Sequence, residues 1–195
     1  MDQVLLYFPD KMTTKRLIIR PCKPGDGKEV YDALKVSHEE LKKWMPFAQK
    51  RQTMEEVEAN IRRAYADFIL REDFRLHMYR REDQLFIGST GLHRIDWETR
   101  KVEIGYWVDS RHQKKGYATE ATEALTSAAF QYLKVNRVEI RCDSKNSQSR
   151  RIPEKLGYTF EGILRSYDKS ADGTKNRDTC VYSVLPHEWN PTNDA

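Results

Sequence analysis

The 195-residue sequence predicts a mixed α+β domain, a sheet with helices on both faces. Two observations lead there. Strand-like segments follow one another between residues 76 and 108, and a strand–helix–strand passage comes after them, ending near residue 142. The length suits a single core.

Residues 16–20, Arg-Leu-Ile-Ile-Arg, form a β-branched run and read as the first strand. Pro24-Gly25-Asp26-Gly27 makes a turn, and a helix follows near residues 28–35. Residues 38–49 hold Trp44-Met45-Pro46-Phe47, an apolar knot with a helix-stopping proline. Thr53-Met54-Glu55-Glu56 is a capping box, and its helix gathers Val57, Ile61, Ala64 or Tyr65, and Phe68 on one face. Strands are expected over residues 76–80 and 85–94, with Glu82-Asp83 at the turn, and over 101–108. The next helix sets Ala121, Leu125, Ala128 and Tyr132 on one side, its small residues allowing close packing on a sheet. A strand over 137–142, a helix over 147–156 ended by Gly157, and strands over 158–165 and 178–185 complete the pattern. Residues 190–195 read as a loose tail.

Composition excludes several classes. Charged residues make up 33% and no apolar run approaches the ~20 residues of a membrane span. Val4-Leu5-Leu6-Tyr7-Phe8 is too short for a signal segment and lacks a basic flank. Three scattered cysteines, 22, 142 and 180, without C-x-x-C spacing, suggest reduced thiols in a cytoplasmic protein. Five histidines show no H-x-x-x-H pair, so no metal site is expected. The net charge of +4 is spread evenly, with Lys and Arg against Asp and Glu at 19 to 17 over residues 1–100 and 15 to 13 over 101–195. A direct nucleic-acid binder usually shows a stronger basic stripe.

Locally the charge is uneven. Gln113-Lys114-Lys115-Gly116-Tyr117-Ala118-Thr119-Glu120-Ala121 links the strand over 101–108 to a helix. Unpaired N–H groups and the dipole at a helix start favour an anion, and Gly116 lets backbone approach it. Basic turns before helices are also common solvated features. Neither a Walker loop nor G-x-G-x-x-G is present. About thirty residues on comes Asn146-Ser147-Gln148-Ser149-Arg150-Arg151-Ile152-Pro153-Glu154-Lys155-Leu156-Gly157-Tyr158, then Phe160-Glu161-Gly162.

In this order the two stretches resemble the GCN5-related N-acetyltransferase (GNAT) superfamily. Glu-Ile-Gly-Tyr-Trp-Val before the loop and Ala-Thr-Glu-Ala after Gly116-Tyr117 look like its Rim branch, whose members acetylate ribosomal-protein N-termini. The resemblance implies a GNAT-like, mostly antiparallel twisted sheet over residues 13–187, with 1–12 as an N-terminal extension and 188–195 as a tail. It implies acetyl-coenzyme A as co-substrate, its pyrophosphate held by Gln113, Lys114, Lys115, Gly116, Tyr117, Ala118 and Thr119. Asn146, Ser149 and Lys155 would follow the pantetheine arm, and backbone N–H groups around Trp107 and Val108 would polarise the thioester carbonyl. Trp44 and Phe47 would line an acceptor pocket, although an aromatic cluster at a helix end also serves as core.

An amine that is neutral and held in line can attack the thioester directly, given a proton acceptor, an oxyanion donor and a proton for the thiolate. Glu103, on the pleat opposite Val102, Ile104 and Tyr106, is a candidate base or amine anchor, or else a surface carboxylate paired with Lys101 or Arg100. Asp168 falls where Rim-branch members resemble one another in carrying an acidic residue, or simply forms a turn. Many relatives use a tyrosine acid where this chain has Pro153. Ser149 inherits the task by resemblance, or caps its helix, or binds the pantetheine amide. Pro153 also removes the donor that would have bonded the Ser149 carbonyl, leaving that oxygen for another partner such as a ligand. Cys142, with no histidine near it in sequence, is not expected to carry acetyl.

The expected function is direct acetyl transfer in a ternary complex to a primary amine, with a protein N-terminus favoured. The alternatives are a small-amine (polyamine or antibiotic) acetyltransferase, a non-catalytic coenzyme A sensor, and an RNA-associated protein using the basic loop. The sequence leaves a homodimer open.

Overall fold

In the computed structural model of the chain, residues 2–191 are described; of the expected tail, residues 192–195 lie outside them. Among the described residues eight strands form one sheet. They are β1 (Met12–Thr13), β2 (Leu17–Pro21), β3 (Phe74–Arg80), β4 (Phe86–Asp96), β5 (Lys101–Val108), β6 (Arg137–Asp143), β7 (Thr159–Lys169) and β8 (Asn176–Val184). Their spatial order is β1-β2-β3-β4-β5-β6-β8-β7. Only β5 and β6 run parallel; the other neighbours are antiparallel.

Four longer helices cover the sheet: α1 (Gly27–Leu41), α2 (Met54–Leu70), α3 (Tyr117–Ala128) and α4 (Ser147–Lys155). Thr53 and Glu56 close the capping box at α2, Thr53 Oγ1 accepting from the Glu56 amide at 3.2 Å and Glu56 Oε2 from the Thr53 amide at 2.7 Å. Val57, Ile61 and Ala64 of α2 join Val30 and Ala33 of α1 against Cys22, Tyr79, Phe86 and Trp107 on one face. Tyr117, Ala121, Leu125 and Ala128 of α3 meet Val102, Ile104, Val138 and Ile140 on the other.

Several elements run further than expected. Helix α1 continues to Leu41 because Val30, Ala33, Ser37 and Leu41 keep one buried stripe; Pro46 opens the short 3-10 turn Pro46–Ala48 beyond it. Helix α3 passes into a π-helical turn, Ala129–Leu133. Before the first expected strand, β1 pairs Met12 with Ile19, and Phe8 is buried edge-on against Phe68 and Phe74. Strand β7 extends to Lys169 through two register shifts.

One feature of the sheet positions the site. Strands β5 and β6 pair only from Lys101 to Glu103, opposite Arg137 to Glu139. From Ile104 onward β5 stays with β4, through Gly88↔Val108, while β6 stays with β8. The sheet therefore opens between β5 and β6, and the far half of β5 has a free backbone edge there.

Candidate active site

The loop from β5 to α3 closes the mouth of this opening. Gly116 is the residue before α3, in the left-handed region at φ 82°, and no side chain caps the helix. Lys114 is also left-handed at φ 60°. Arg16 braces the turn from below: Nη1 donates to the Lys115 carbonyl at 2.9 Å, Nε pairs with Glu120 at 2.7 Å, and the guanidinium lies 4.7 Å from the Tyr117 ring centre. The loop is held from its protein side while Lys114, Lys115 and Gly116 stay exposed.

A cavity of about 540 Å³ lies in the opening. It brings together Trp44, Trp107, Val108, the whole loop from Gln113 to Thr119, Asn146, Ser149 and Lys155, which the sequence picks out from three separate regions. Phe47 lies outside it and lines a neighbouring cavity. The lining also includes Tyr106, His112 and Arg151, so its cations (Lys114, Lys115, Arg151, Lys155) outnumber its one carboxylate, Glu40. His112 Nδ1 is buried without a hydrogen-bond partner among the described residues. Basic groups, an uncapped helix start and an orphaned ring nitrogen around one elongated space fit a polyphosphate-bearing ligand such as coenzyme A.

At the base of the opening, Asn146 Oδ1 accepts from the Ser149 amide at 3.1 Å, so Asn146 caps α4. That leaves the Ser149 hydroxyl for other work. Tyr106 reaches across from β5, its hydroxyl 3.1 Å from the Ser149 carbonyl and 3.1 Å from Ser149 Oγ. The carbonyl freed by Pro153 is thus taken by a protein phenol rather than by a ligand. Burial holds the Tyr106 hydroxyl well above its ordinary pKa, the Ser149 contact opposing, so it remains a proton donor. Sequence reading missed Tyr106; the signal was Pro153 itself, which orphans a carbonyl some buried donor has to satisfy.

A second cavity, of about 330 Å³, lies on the α1–α2 side of the sheet and shares Met45, Tyr106 and Trp107 with the first. Phe47, Gln52, Asn60, Arg75, His77, Ser89, Thr90, His93 and Gly105 also line it. None of its lining residues is Asp or Glu. His93 enters here unannounced, its Nδ1 2.6 Å from Asp73 Oδ2.

The carboxylates sit elsewhere. Glu103, the cross-strand partner of His93, pairs with Arg94 at 3.2 Å and Arg141 at 3.7 Å rather than with Lys101 or Arg100, and lines neither cavity. Burial raises its pKa, the two arginines opposing. Asp168 lies in β7, held below its ordinary pKa chiefly by Arg177 at 2.9 Å, and lines neither cavity. Cys142 is buried, and burial pushes its thiol up to about 11. Among the described residues no cluster of His, Cys, Asp or Glu could hold a metal ion, and no helix is long and apolar enough to cross a membrane.

A sheet split between two parallel strands, with a basic loop and helix start at its mouth, makes a site for an elongated anionic ligand. Residues 16–159 match the family model of the acetyltransferase (GNAT) domain, and the chain belongs to that family. YdaF of Bacillus subtilis (strain 168), whose name carries the words "ribosomal N-acetyltransferase", is 32% identical over 179 residues, covering 90% of this chain and 94% of its own. RimL, the ribosomal L7/L12 alpha-N-protein acetyltransferase, solved with coenzyme A, superposes with a TM-score of 0.82 at 16% identity, over 91% of this chain and 97% of its own. The microcin C7 self-immunity acetyltransferase MccE, solved with acetyl-coenzyme A and AMP, gives 0.80 at 20% identity, over 88% and 93%. The chain is an acetyl-coenzyme A-dependent N-acetyltransferase, and the expected mostly antiparallel GNAT architecture is the one observed.

Proposed function

We propose that the acceptor is the N-terminal α-amine of a protein, a ribosomal protein first among candidates, acetylated by direct attack in a ternary complex in the cytoplasm. The observation that carries this is the acceptor-side cavity without a carboxylate, lined instead by Arg75, Asn60, His77 and His93. A polyamine or a lysine side chain arrives as a cation and needs acidic groups to hold and deprotonate it. An α-amine, with a pKa near 7.7–8.0, is already neutral in roughly a tenth of molecules at pH 7, against fewer than about one in a thousand for lysine. The names carried by YdaF and RimL point the same way.

In this reading the loop from Gln113 to Thr119 holds the pyrophosphate, Asn146 and Lys155 flank the pantetheine arm, and the free edge of β5 at Trp107 and Val108 presents N–H to the thioester carbonyl. Ser149, oriented by Tyr106, protonates the departing sulfur. Trp44 and Phe47 wall the groove through which the peptide enters. Glu103 and Asp168 are tied to arginines and line neither cavity. The test is mass spectrometry of peptides that each offer a free N-terminus and an internal lysine, with spermidine in parallel. Acetyl found on the N-terminus supports the assignment; acetyl mainly on lysine, or only on spermidine, removes it.

A further inference from the structure

We propose that His93 is the general base of the transfer and that Asp73 is the residue that positions it. The inference rests on the acetyl-transfer reading above and supplies the group that takes the amine proton.

The geometry carries it. His93 Nδ1 lies 2.6 Å from Asp73 Oδ2. A carboxylate only accepts, so the proton of a neutral imidazole sits on Nδ1 and leaves the lone pair on Nε2. No hydrogen bond to Nε2 occurs among the described residues. The ring lies across Gly91 and Gly105, which face each other in the β4–β5 ladder. A Cβ on Gly91 would come 2.7 Å from Nε2, and one on Gly105 3.0 Å from Cδ2 and 3.4 Å from Nε2. Two bare strand positions thus make room for the imidazole in the cavity that Tyr106 also lines, Tyr106 being one of three residues both cavities share. His93 and Asp73 side chains are each 30% exposed, so a proton can pass on to solvent.

The balance of the step is simple. The amine nitrogen forms a C–N bond to the acetyl carbon while the C–S bond breaks. One N–H proton passes to His93 Nε2, and the sulfur takes one proton from the Ser149–Tyr106 hydroxyl pair. Imidazolium and hydroxyl exchange with solvent before the next turn. Of the other titratable residues lining this cavity, Arg75 is a permanent cation, Tyr106 keeps its proton, and His77 is fully enclosed and donates to Asp26; Glu103 and Asp168 stand outside it.

The experiment compares wild type, His93→Gln and Asp73→Asn, with acetyl-coenzyme A and a peptide bearing a free N-terminus, as kcat against pH. His93→Gln is expected to lower kcat by about 10²-fold or more and to abolish the fall of kcat toward acid. Its calorimetric affinity for acetyl-coenzyme A should stay within about twofold, because the coenzyme cavity is untouched. Asp73→Asn keeps the ring but frees its tautomer, and should give a smaller loss with a displaced acid limb. A His93→Gln enzyme with kcat near wild type, or with a lower kcat but an unchanged pH profile, overturns the assignment. Should His93→Gln fail to fold by circular dichroism, an unaltered profile in Asp73→Asn overturns it instead. A wild type that acetylates no amine would remove the underlying reading as well; an active wild type with an indifferent His93→Gln removes this one alone.

Discussion

The hydroxyl of Tyr106 lies 3.1 Å from the carbonyl oxygen of Ser149 and 3.1 Å from its Oγ. This link joins β5 to α4 across the gap where the sheet parts. Pro153 makes it necessary, since a proline four residues on cannot donate to that carbonyl. The same phenol contacts the Ser149 hydroxyl, and both residues line the larger cavity.

Tyr106→Phe is therefore expected to act twice. The orphaned carbonyl should cost about 1–3 kcal/mol in a urea melt. Loss of the hydroxyl pair should lower turnover about a hundredfold, as should Ser149→Ala, while acetyl-coenzyme A affinity changes little. If turnover survives Tyr106→Phe in a folded protein, the proton for the sulfur comes from elsewhere.

Much of this was legible in the chain because it is local. The capping box at Thr53, the strand to Val108 and the loop to α3 are written in consecutive residues, and the structure bears them out. The Tyr106–Ser149 contact spans 43 residues and His93–Asp73 spans 20, and no periodicity encodes either. Glu103 reads as a candidate base from its place on the strand, with Lys101 or Arg100 as its alternative partners; the fold gives it Arg94 and Arg141 instead. The opening between β5 and β6 was invisible because it is a property of register.

Gly116→Trp should abolish acetyl-coenzyme A binding in calorimetry while the domain stays folded. The φ of 82° is left-handed, costing a non-glycine residue about 1–2 kcal/mol, well within a domain's stability. A Cβ at 116 would meet Arg16 Nη2 at 3.4 Å, so the indole would also press on the guanidinium that braces the loop. Unchanged affinity would place the pyrophosphate elsewhere.

Cys142→Ala should leave turnover nearly intact. Burial lifts the Cys142 thiol to about 11, as it does Cys22, so fewer than about one in a thousand is thiolate at neutral pH. Kinetics should show intersecting double-reciprocal lines. Parallel lines with an isolable acetyl-cysteine would establish a ping-pong route and sink the ternary mechanism.

Acid should destabilise the fold in two stages, both from the junction of β2, β3 and α1. His77 is 1% exposed and its Nδ1 donates to Asp26 Oδ2 at 3.0 Å. Burial depresses the His77 pKa, the Asp26 contact opposing. The unfolded chain therefore takes up this proton first, and stability starts to fall as pH drops through the ordinary histidine value of about 6.5. Asp26 is buried too, which by itself would raise its pKa; hydrogen bonds from His77, Arg20 and the Lys23 amide more than reverse this and hold it far below the usual range. Its contribution is present above the unfolded carboxylate value of about 3.9 and is lost as pH falls from there toward the folded one. Urea melts from pH 7 to pH 3 should show the first decline in wild type and lose it in His77→Gln. Asp26→Asn should cost about 3–5 kcal/mol at pH 7, because Arg20 keeps a half-buried charge without its partner. A stability that stays level from pH 7 to pH 4 would mean that His77 is protonated in the folded state, and that the Asp26 contact outweighs its burial.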